Sequence, residues 1–498
     1  MVGVIYLAAA AVCAIFATLI PASVLAFLTD EIALAVRMSL LATLGILFSL
    51  LVLQTVQGRG RTLTRMHGLL TVIVSWSACA FSAALLVMNL FGFAFSAAIF
   101  EAMSGLTTTG QTVLLSRDAL PIPLLFWRVT LEWFGGLLTL VCLLQIVAPA
   151  GLGGLPQFTG RLFSKPSKGT SKTEQSVANE ESALSRTRTI AVRYLTVTAI
   201  LFAALAPNGP PPLEALMLAM TGVATGGFVF FDGPILDRLP AHTVFVFGLA
   251  FVLGSTSLMW QSSVNLRPGR ILRRNSEASA ILLLVGIIAF VIAVRLATVS
   301  GQGAIDGTLL IEGFFAASAL VATSGLETRP GVLALVPDVF VLLMVFAGAS
   351  LFSTTGGVKL YRIAGLAKYA ERELVNLIYP HSVSSLSLGG HRVADETLRA
   401  IWSYFVFAIV FIALGAFGLA LGPFNFEAAF KAAVALFTSS GPLYTALTPQ
   451  AAGIENGWPS FADLGAPLLL WSSFIMLMGR LEILVVFAAL NIRFWMGR

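Results

Sequence analysis

The stretch Ser104-Gly105-Leu106-Thr107-Thr108-Thr109-Gly110-Gln111-Thr112 decides how this chain is read. An apolar segment too short to cross a bilayer runs into hydroxyl residues and a glycine, and the chain then turns back into a long apolar segment. The same construction returns at Thr221-Gly222-Val223-Ala224-Thr225-Gly226-Gly227-Phe228, at Val321-Ala322-Thr323-Ser324-Gly325-Leu326-Glu327-Thr328 and at Phe437-Thr438-Ser439-Ser440-Gly441-Pro442-Leu443. Aligned on Gly110, Gly226, Gly325 and Gly441, the spacings by subtraction are 116, 99 and 116 residues. They fit a fourfold internal repeat, each unit holding two membrane-spanning helices with a re-entrant loop between them.

Composition places that repeat in a bilayer. The chain has 498 residues, 57% hydrophobic and 11% charged, with a mean hydropathy of +0.91, whereas soluble domains carry about 25% charged residues. Runs near twenty apolar residues each span the roughly 30 Å hydrocarbon layer. The first two runs, near 4–27 and 38–53, lack the basic start and small-residue cleavage site of a secretory signal and read as retained helices. The net charge of +6 reports topology rather than nucleic-acid binding. Of 30 Lys and Arg, 22 fall in five connections on one side: Arg59–Arg65, Arg161–Arg193, Arg267–Arg274, Lys359–Arg399 and the tail Arg493–Arg498. The positive-inside bias makes that side cytoplasmic and puts both termini there. Cys13, Cys79 and Cys142 lie in separate apolar runs, with neither a disulfide framework nor a zinc spacing.

In order, the chain divides into two leading helices (1–66), a first pore repeat (67–150), a polar, flexible cytoplasmic linker (151–187), a second repeat (188–275), a third with an interrupted last helix (276–366), a cytoplasmic connection (367–395) and a fourth repeat (396–498). The reading predicts an all-α integral membrane fold of ten spans and four half-helices around a central pore. Its half-helices fall near 95–106, 213–222, 309–322 and 426–437.

Irregular backbone at membrane depth survives only where it is buried in protein or lines a water-filled cavity. Four loops around one axis supply such a cavity. Each half-helix points its partly negative C-terminal end inward, which favours a cation there. Glycine admits positive φ, so the loops can turn carbonyl oxygens toward the axis and replace the hydration shell of an ion such as K⁺. Hydroxyls of Thr107, Thr108, Thr225, Thr323 and Ser439 are candidates to complete the cage. The expected K⁺-binding residues are Thr107, Thr108, Thr109, Gly110, Ala224, Thr225, Gly226, Thr323, Ser324, Gly325, Ser439, Ser440 and Gly441. Glu214, Glu312 and Glu427 sit near half-helix starts, where a carboxylate suits the dipole. His67, His242, His381 and His391 are scattered singly and carry no chemistry.

These residues resemble the Trk/Ktr/HKT superfamily of potassium transporters, and within it the TrkH-type subunit. The resemblance rests on 103–110, on Trp127-Arg128 with Glu132-Trp133-Phe134-Gly135-Gly136, on Ser353-Thr354-Thr355-Gly356-Gly357-Val358-Lys359, on 373–380 and on Met478-Gly479-Arg480-Leu481-Glu482-Ile483. It implies K⁺ uptake across a bacterial inner membrane, K⁺ selectivity from glycine in all four loops, and Na⁺ admission where the first glycine is serine. It further implies a homodimer with a cytoplasmic TrkA-like nucleotide-binding regulator landing on the basic connections. The chain departs from the family pattern at Gln111, at Glu132 in place of glutamine, and at Ser439-Ser440.

Two features bear on gating. Gly348–Gly357 breaks the third return helix with Gly348, Ser353, Thr354, Thr355, Gly356 and Gly357, and reads either as a movable gate or as a static kink. Arg480 lies within an apolar helix. Intramembrane charge is costly and faces a cavity or a partner, so Arg480 either projects into an inner vestibule or pairs with another helix. Lys359 reads as a topology anchor, although the gating motif includes it. No HExxH, Walker A, CxxC pair or dinucleotide fingerprint occurs, so no cofactor is expected on this chain and K⁺ is the transported ion. A weakly selective or Na⁺-permeable transporter of the same fold is the alternative. A membrane transferase would cluster acidic or histidine residues at one membrane face, which this chain does not do.

Overall fold

The computed structural model describes residues 2–56, 65–147, 172–207, 209–257, 276–299, 301, 306–379, 387–388, 391–392, 394–449, 457–481 and 483–489. Among them the fold is helical, apart from a two-residue antiparallel pairing of Ser387–Leu388 with His391–Arg392. The basic stretches 57–64, 267–274 and 493–498, and the linker from 151 to 171, lie outside the described residues.

Seven described helices are long and apolar enough to cross a membrane: Val2–Leu28, Ile32–Val56, Met66–Phe91, Ile122–Val147, Ser185–Leu205, Glu277–Val299 and Asp395–Ala420. The expected count of ten is met only by adding three shorter return segments, Ala241–Ser255, Asp338–Ala347 and Ala466–Arg480. The first two have a local reason to stop. The first ends at Thr256, whose backbone is extended. The second ends at Gly348, with φ +63°, and the third runs into Leu481. One boundary also moves. The helix entering the second repeat starts at Lys172, not near residue 190, so the second half of the expected flexible linker is helical.

The half-helices are Phe95–Leu106, Pro212–Ala224, Gly307–Val321 and Phe426–Phe437. Their starts are set locally. Pro212 occupies a first-turn position where its missing N–H costs nothing. Asp306 accepts a hydrogen bond from Leu309 N, and Asn425 from Ala428 N, both at 2.8 Å. Alanines such as Ala98, Ala102, Ala215, Ala219, Ala316, Ala319, Ala429 and Ala433 are buried along them. Small residues let helices approach closely where lipid provides no hydrophobic drive for association. Burial ranks the layers: 67% of the central window of Ile122–Val147 is buried, against 28% for Val2–Leu28 and 22% for Ile32–Val56. The two leading helices are the least buried of the described spans, with Ser185–Leu205 and Glu277–Val299 next at 33% each.

Return helices press directly on half-helix ends. A Cβ on Gly135 would come 2.0 Å from Leu106 O, and one on Gly479 would come 2.0 Å from Phe437 O. Gly479→Ala is expected to cost about 1–3 kcal/mol of stability through overpacking, read as a lower thermal midpoint in detergent. A midpoint equal to wild type would show that the contact is slack. Where the half-helices begin, Asp232 joins the first two repeats by accepting from Ser116 Oγ and Arg117 N at 2.9 Å. Partial burial pushes its carboxyl upward, but these donors and the Arg117 charge outweigh it and hold the group below the usual carboxylate range.

Candidate ion-conduction site

The four loops share one backbone path. The last turn of each half-helix closes with the same bond five residues back: Thr109 N to Ser104 O, Gly226 N to Thr221 O, Ser324 N to Ala319 O and Ser440 N to Ala435 O, at 2.8–3.0 Å. The residue just before each donor is Thr108, Thr225, Thr323 or Ser439, with φ of 57°, 53°, 55° and 57°. Positive φ is uncommon outside glycine, and for β-branched threonine it marks a genuine outlier. Four occurrences at one position form a pattern.

That register corrects the alignment of the second loop. Gly226 corresponds to Thr109, Ser324 and Ser440, so Gly227, not Gly226, corresponds to Gly110, Gly325 and Gly441. A second bond agrees: Ser104 Oγ donates to Gln111 O, and Thr221 Oγ1 to Phe228 O, each seven residues on.

The loops touch in cyclic order. A Cβ on Gly110 would lie 2.3 Å from Gly227 Cα in the second loop, and Ser324 Oγ of the third donates to Gly226 O at 2.8 Å. A Cβ on Gly325 would lie 2.7 Å from Leu443 N in the fourth, and Gly441 N donates to Thr109 O at 2.8 Å, closing the ring. The hydroxyls divide unevenly. Thr107 Oγ1 and Thr438 Oγ1 turn back to Met103 O and Val434 O, and bond Thr109 and Ser440. Thr107 therefore does not offer its hydroxyl to the ring's interior. Only Thr108 Oγ1 and Ser439 Oγ are buried with no protein partner among the four left-handed hydroxyl residues.

The third return helix does not merely kink. Helix stops at Ala347, residues 348–359 form a hairpin, and a new helix runs Leu360–Ile378. The base is stapled by Val358 N to Phe346 O at 2.8 Å and Leu360 N to Ala349 O at 2.9 Å. Its tip meets the ring from below. Thr354 Oγ1 bonds Thr225 Oγ1 and Val223 O at 3.0 and 3.1 Å, and Gly356 N donates to Thr323 Oγ1 at 2.8 Å. A Cβ on Gly356 would lie 1.9 Å from Thr438 O. The hairpin thus caps hydroxyls of the second and third loops and presses on the fourth.

Two cations hold this hairpin. Lys359 is buried and donates from Nζ to Ser353 Oγ and to the carbonyl and hydroxyl of Thr355. It belongs to the 348–359 hairpin and is not a surface anchor; its φ of 80° is itself unusual for lysine. Arg480 donates from Nε to Thr139 Oγ1 at 2.9 Å and from NH2 to Thr354 O at 2.6 Å. Both line a cleft with Ser353, Thr355, Gly356 and Thr139.

The family described as TrkH, cation transport protein, matches residues 39–232 and 278–493. The chain belongs to the TrkH family. It is 29% identical over 412 residues to the Trk system potassium uptake protein TrkH of Salmonella typhimurium, covering 80% of this chain and 79% of that one. Identity to the Escherichia coli TrkH is 28% over the same length and shares. The fold matches the crystal structure of the potassium transporter TrkH from Vibrio parahaemolyticus with a TM-score of 0.82 at 21% identity, covering 99% of both chains. This TrkH-family chain is thus a multi-pass membrane transport protein, not an enzyme.

Other charged residues in this TrkH-family protein fall differently from their sequence spacing. Glu312 sits in the body of its half-helix, with Asp306 as the cap, and pairs with Arg329 at 3.0 Å. Glu427 lies in a first turn and pairs with Lys431 at 2.7 Å. Glu214 also occupies a first turn. Sequence reasoning missed a fully buried set behind the first two loops: Arg128 Nε lies 2.7 Å from Glu101 Oε1, and its NH1 lies 3.7 Å from Glu132 Oε2. The i,i+4 spacing of Arg128 and Glu132 was the available signal; Glu101 gave none.

Proposed function

We propose that this protein takes up potassium through the ring of four re-entrant loops. The observation that carries the reading is the left-handed hydroxyl residue repeated at one position of four loops in mutual contact. Residues held in such backbone states are strained by roughly 1–3 kcal/mol each and persist where surrounding structure over-determines them. In three loops the preceding residue has φ of −75° to −86° with ψ near 0°. Alternating right- and left-handed residues turn successive carbonyls to one side, as a cage for a dehydrated monovalent cation requires. The potassium named in its Salmonella and Escherichia relatives supports the choice of ion.

The filter is Thr107–Gly110 with the matching residues Ala224–Gly227, Ala322–Gly325 and Thr438–Gly441. Beneath it, the 348–359 hairpin is a gate, here seated against three loops, with Lys359 and Arg480 as the charges that keep it there. We place the protein in a bacterial inner membrane with both termini cytoplasmic. It works as a homodimer with a TrkA-like regulator, for which exposed Leu374, Leu377, Ile378 and Tyr379 at the end of Leu360–Ile378 offer a landing surface.

The test is growth on low K⁺ in a bacterial strain lacking its own K⁺ uptake, with ⁸⁶Rb⁺ uptake as the quantitative readout. Rescue with saturable uptake is expected. No rescue by a correctly inserted protein refutes the reading, and equal uptake of Na⁺ would replace it with a weakly selective transporter.

A further inference from the structure

The Glu101–Arg128–Glu132 set is asymmetric in charge. All three side chains are fully buried. Glu101 is satisfied: Oε1 accepts from Arg128 Nε at 2.7 Å, and Oε2 from Thr112 Oγ1 at 3.0 Å and Val113 N at 3.1 Å. Glu132 is not. Its Oε1 accepts weakly from Phe228 N at 3.4 Å, while Oε2 and the facing Arg128 NH1 lack hydrogen-bond partners. The guanidinium instead stacks over the Phe228 ring at 4.7 Å. Two carboxylates therefore face one cation. Among the described residues, Arg480 also reaches this helix, at Thr139 two turns away, and is engaged with the hairpin.

We propose that Glu132 is a positioning residue that raises the ring's cation affinity from behind, by holding a second carboxyl group, beside a single guanidinium, against the second loop. Three observations support this. The carboxylate abuts the ring: a Cβ on Gly226 would lie 1.5 Å from Glu132 Oε1. The charge is also one-sided. Gly135 and Gly479 press on equivalent half-helix ends, so Met476 and Ser472 stand where Glu132 and Arg128 do. Gly254 packs likewise at Val223 O, which puts Phe251 and Phe247 in those places. Seven residues before each left-handed hydroxyl, Glu101 is matched by Leu218, Ala316 and Ala432. Finally, a buried ion set with unmet hydrogen bonds is a poor source of stability, while a charge in a low-dielectric surround acts strongly on an ion nearby.

The inference rests on the proposed filter, so the test reads cation binding separately from uptake. Half-maximal thermal protection of the purified full-length protein is titrated with K⁺, Rb⁺ and Na⁺. Glu132→Gln keeps the shape and an acceptor for Phe228 N but removes the charge, whereas Glu132→Asp keeps the charge and withdraws the acceptor. E132Q should need about tenfold more of the protecting cation, the scale of one screened unit charge nearby. Its KM for ⁸⁶Rb⁺ uptake should rise in step and Vmax stay within about twofold, while E132D stays within about threefold of wild type on both. An E132Q titration equal to wild type, or E132D as impaired as E132Q, overturns the proposal and leaves Glu132 a packing group. Protection by K⁺ no better than by Na⁺ counts against potassium selectivity instead, and a wild type protected by no cation overturns both.

Discussion

Replacing Gly110 with serine is expected to lower K⁺ over Na⁺ discrimination by roughly tenfold to a hundredfold. Two costs combine at this position. Gly110 holds φ +76°, where a residue with a Cβ is strained by roughly 1–3 kcal/mol, and each 1.4 kcal/mol is about tenfold in an equilibrium. Beyond that, a Cβ would lie 2.3 Å from Gly227 Cα and 2.6 Å from Phe228 N, nearer than any relaxed contact. The neighbour is backbone of the second loop, so it can yield only by moving that loop. A cage that discriminates ions by the number and placement of its oxygens loses most when one quarter shifts against the next. The readout is ⁸⁶Rb⁺ against ²²Na⁺ uptake in the rescued strain. Undiminished discrimination in a protein of normal abundance would mean that the Gly110–Gly227 contact lies outside the ion path.

The second loop shows what sequence can and cannot place. Gly226 and Gly227 are adjacent and chemically identical, so spacing alone had no means of choosing between them. The bond from Gly226 N to Thr221 O, matching Thr109 N to Ser104 O, with left-handed Thr225 before it as Thr108 is before Thr109, selects Gly227 as the counterpart of Gly110. The four half-helices were legible, because half-length apolar runs ending in hydroxyl and glycine residues are a local pattern and bilayer thickness fixes what length means. The hairpin at 348–359 was legible as a break but not as a partner of the ring: Thr354 meets Thr225 across 129 residues of chain. Lys359 was misread for a related reason. Its place at the head of a basic run suits an exposed anchor, and nothing local reveals that its amine folds back onto Ser353 and Thr355.

The uneven hydroxyls also describe a state of the molecule. At one position of the ring, Thr225 and Thr323 spend their hydroxyls on the hairpin, while Thr108 and Ser439 have no protein partner. The hairpin is seated under two loops and presses on a third, so under the proposed gating this arrangement is the non-conducting form. Opening of the proposed gate would exchange the Thr225–Thr354 and Thr323–Gly356 bonds for water or ion contacts, with the staples at 346–360 as the fixed base.

Arg480→Ala is accordingly expected to raise unstimulated K⁺ uptake by about tenfold to a hundredfold. The residue joins two elements that the proposed gating would separate: Thr139 on the first return helix and Thr354 O at the hairpin tip. A hydrogen bond from a charged donor contributes about 1.5–3 kcal/mol, and losing the one to Thr354 shifts the gate by that amount toward open. Removing the charge also lowers the barrier to a cation in the cleft below, so both effects carry the same sign. Arg480→Gln separates them, since it keeps a donor for Thr354 O and loses the charge. Flux as high as in the alanine variant would assign the gate to electrostatic repulsion, and flux near wild type would assign it to the hydrogen bond. Uptake that falls or stays level in a well-folded alanine variant would contradict both, because the hairpin would then be held by Lys359 and the ring contacts alone.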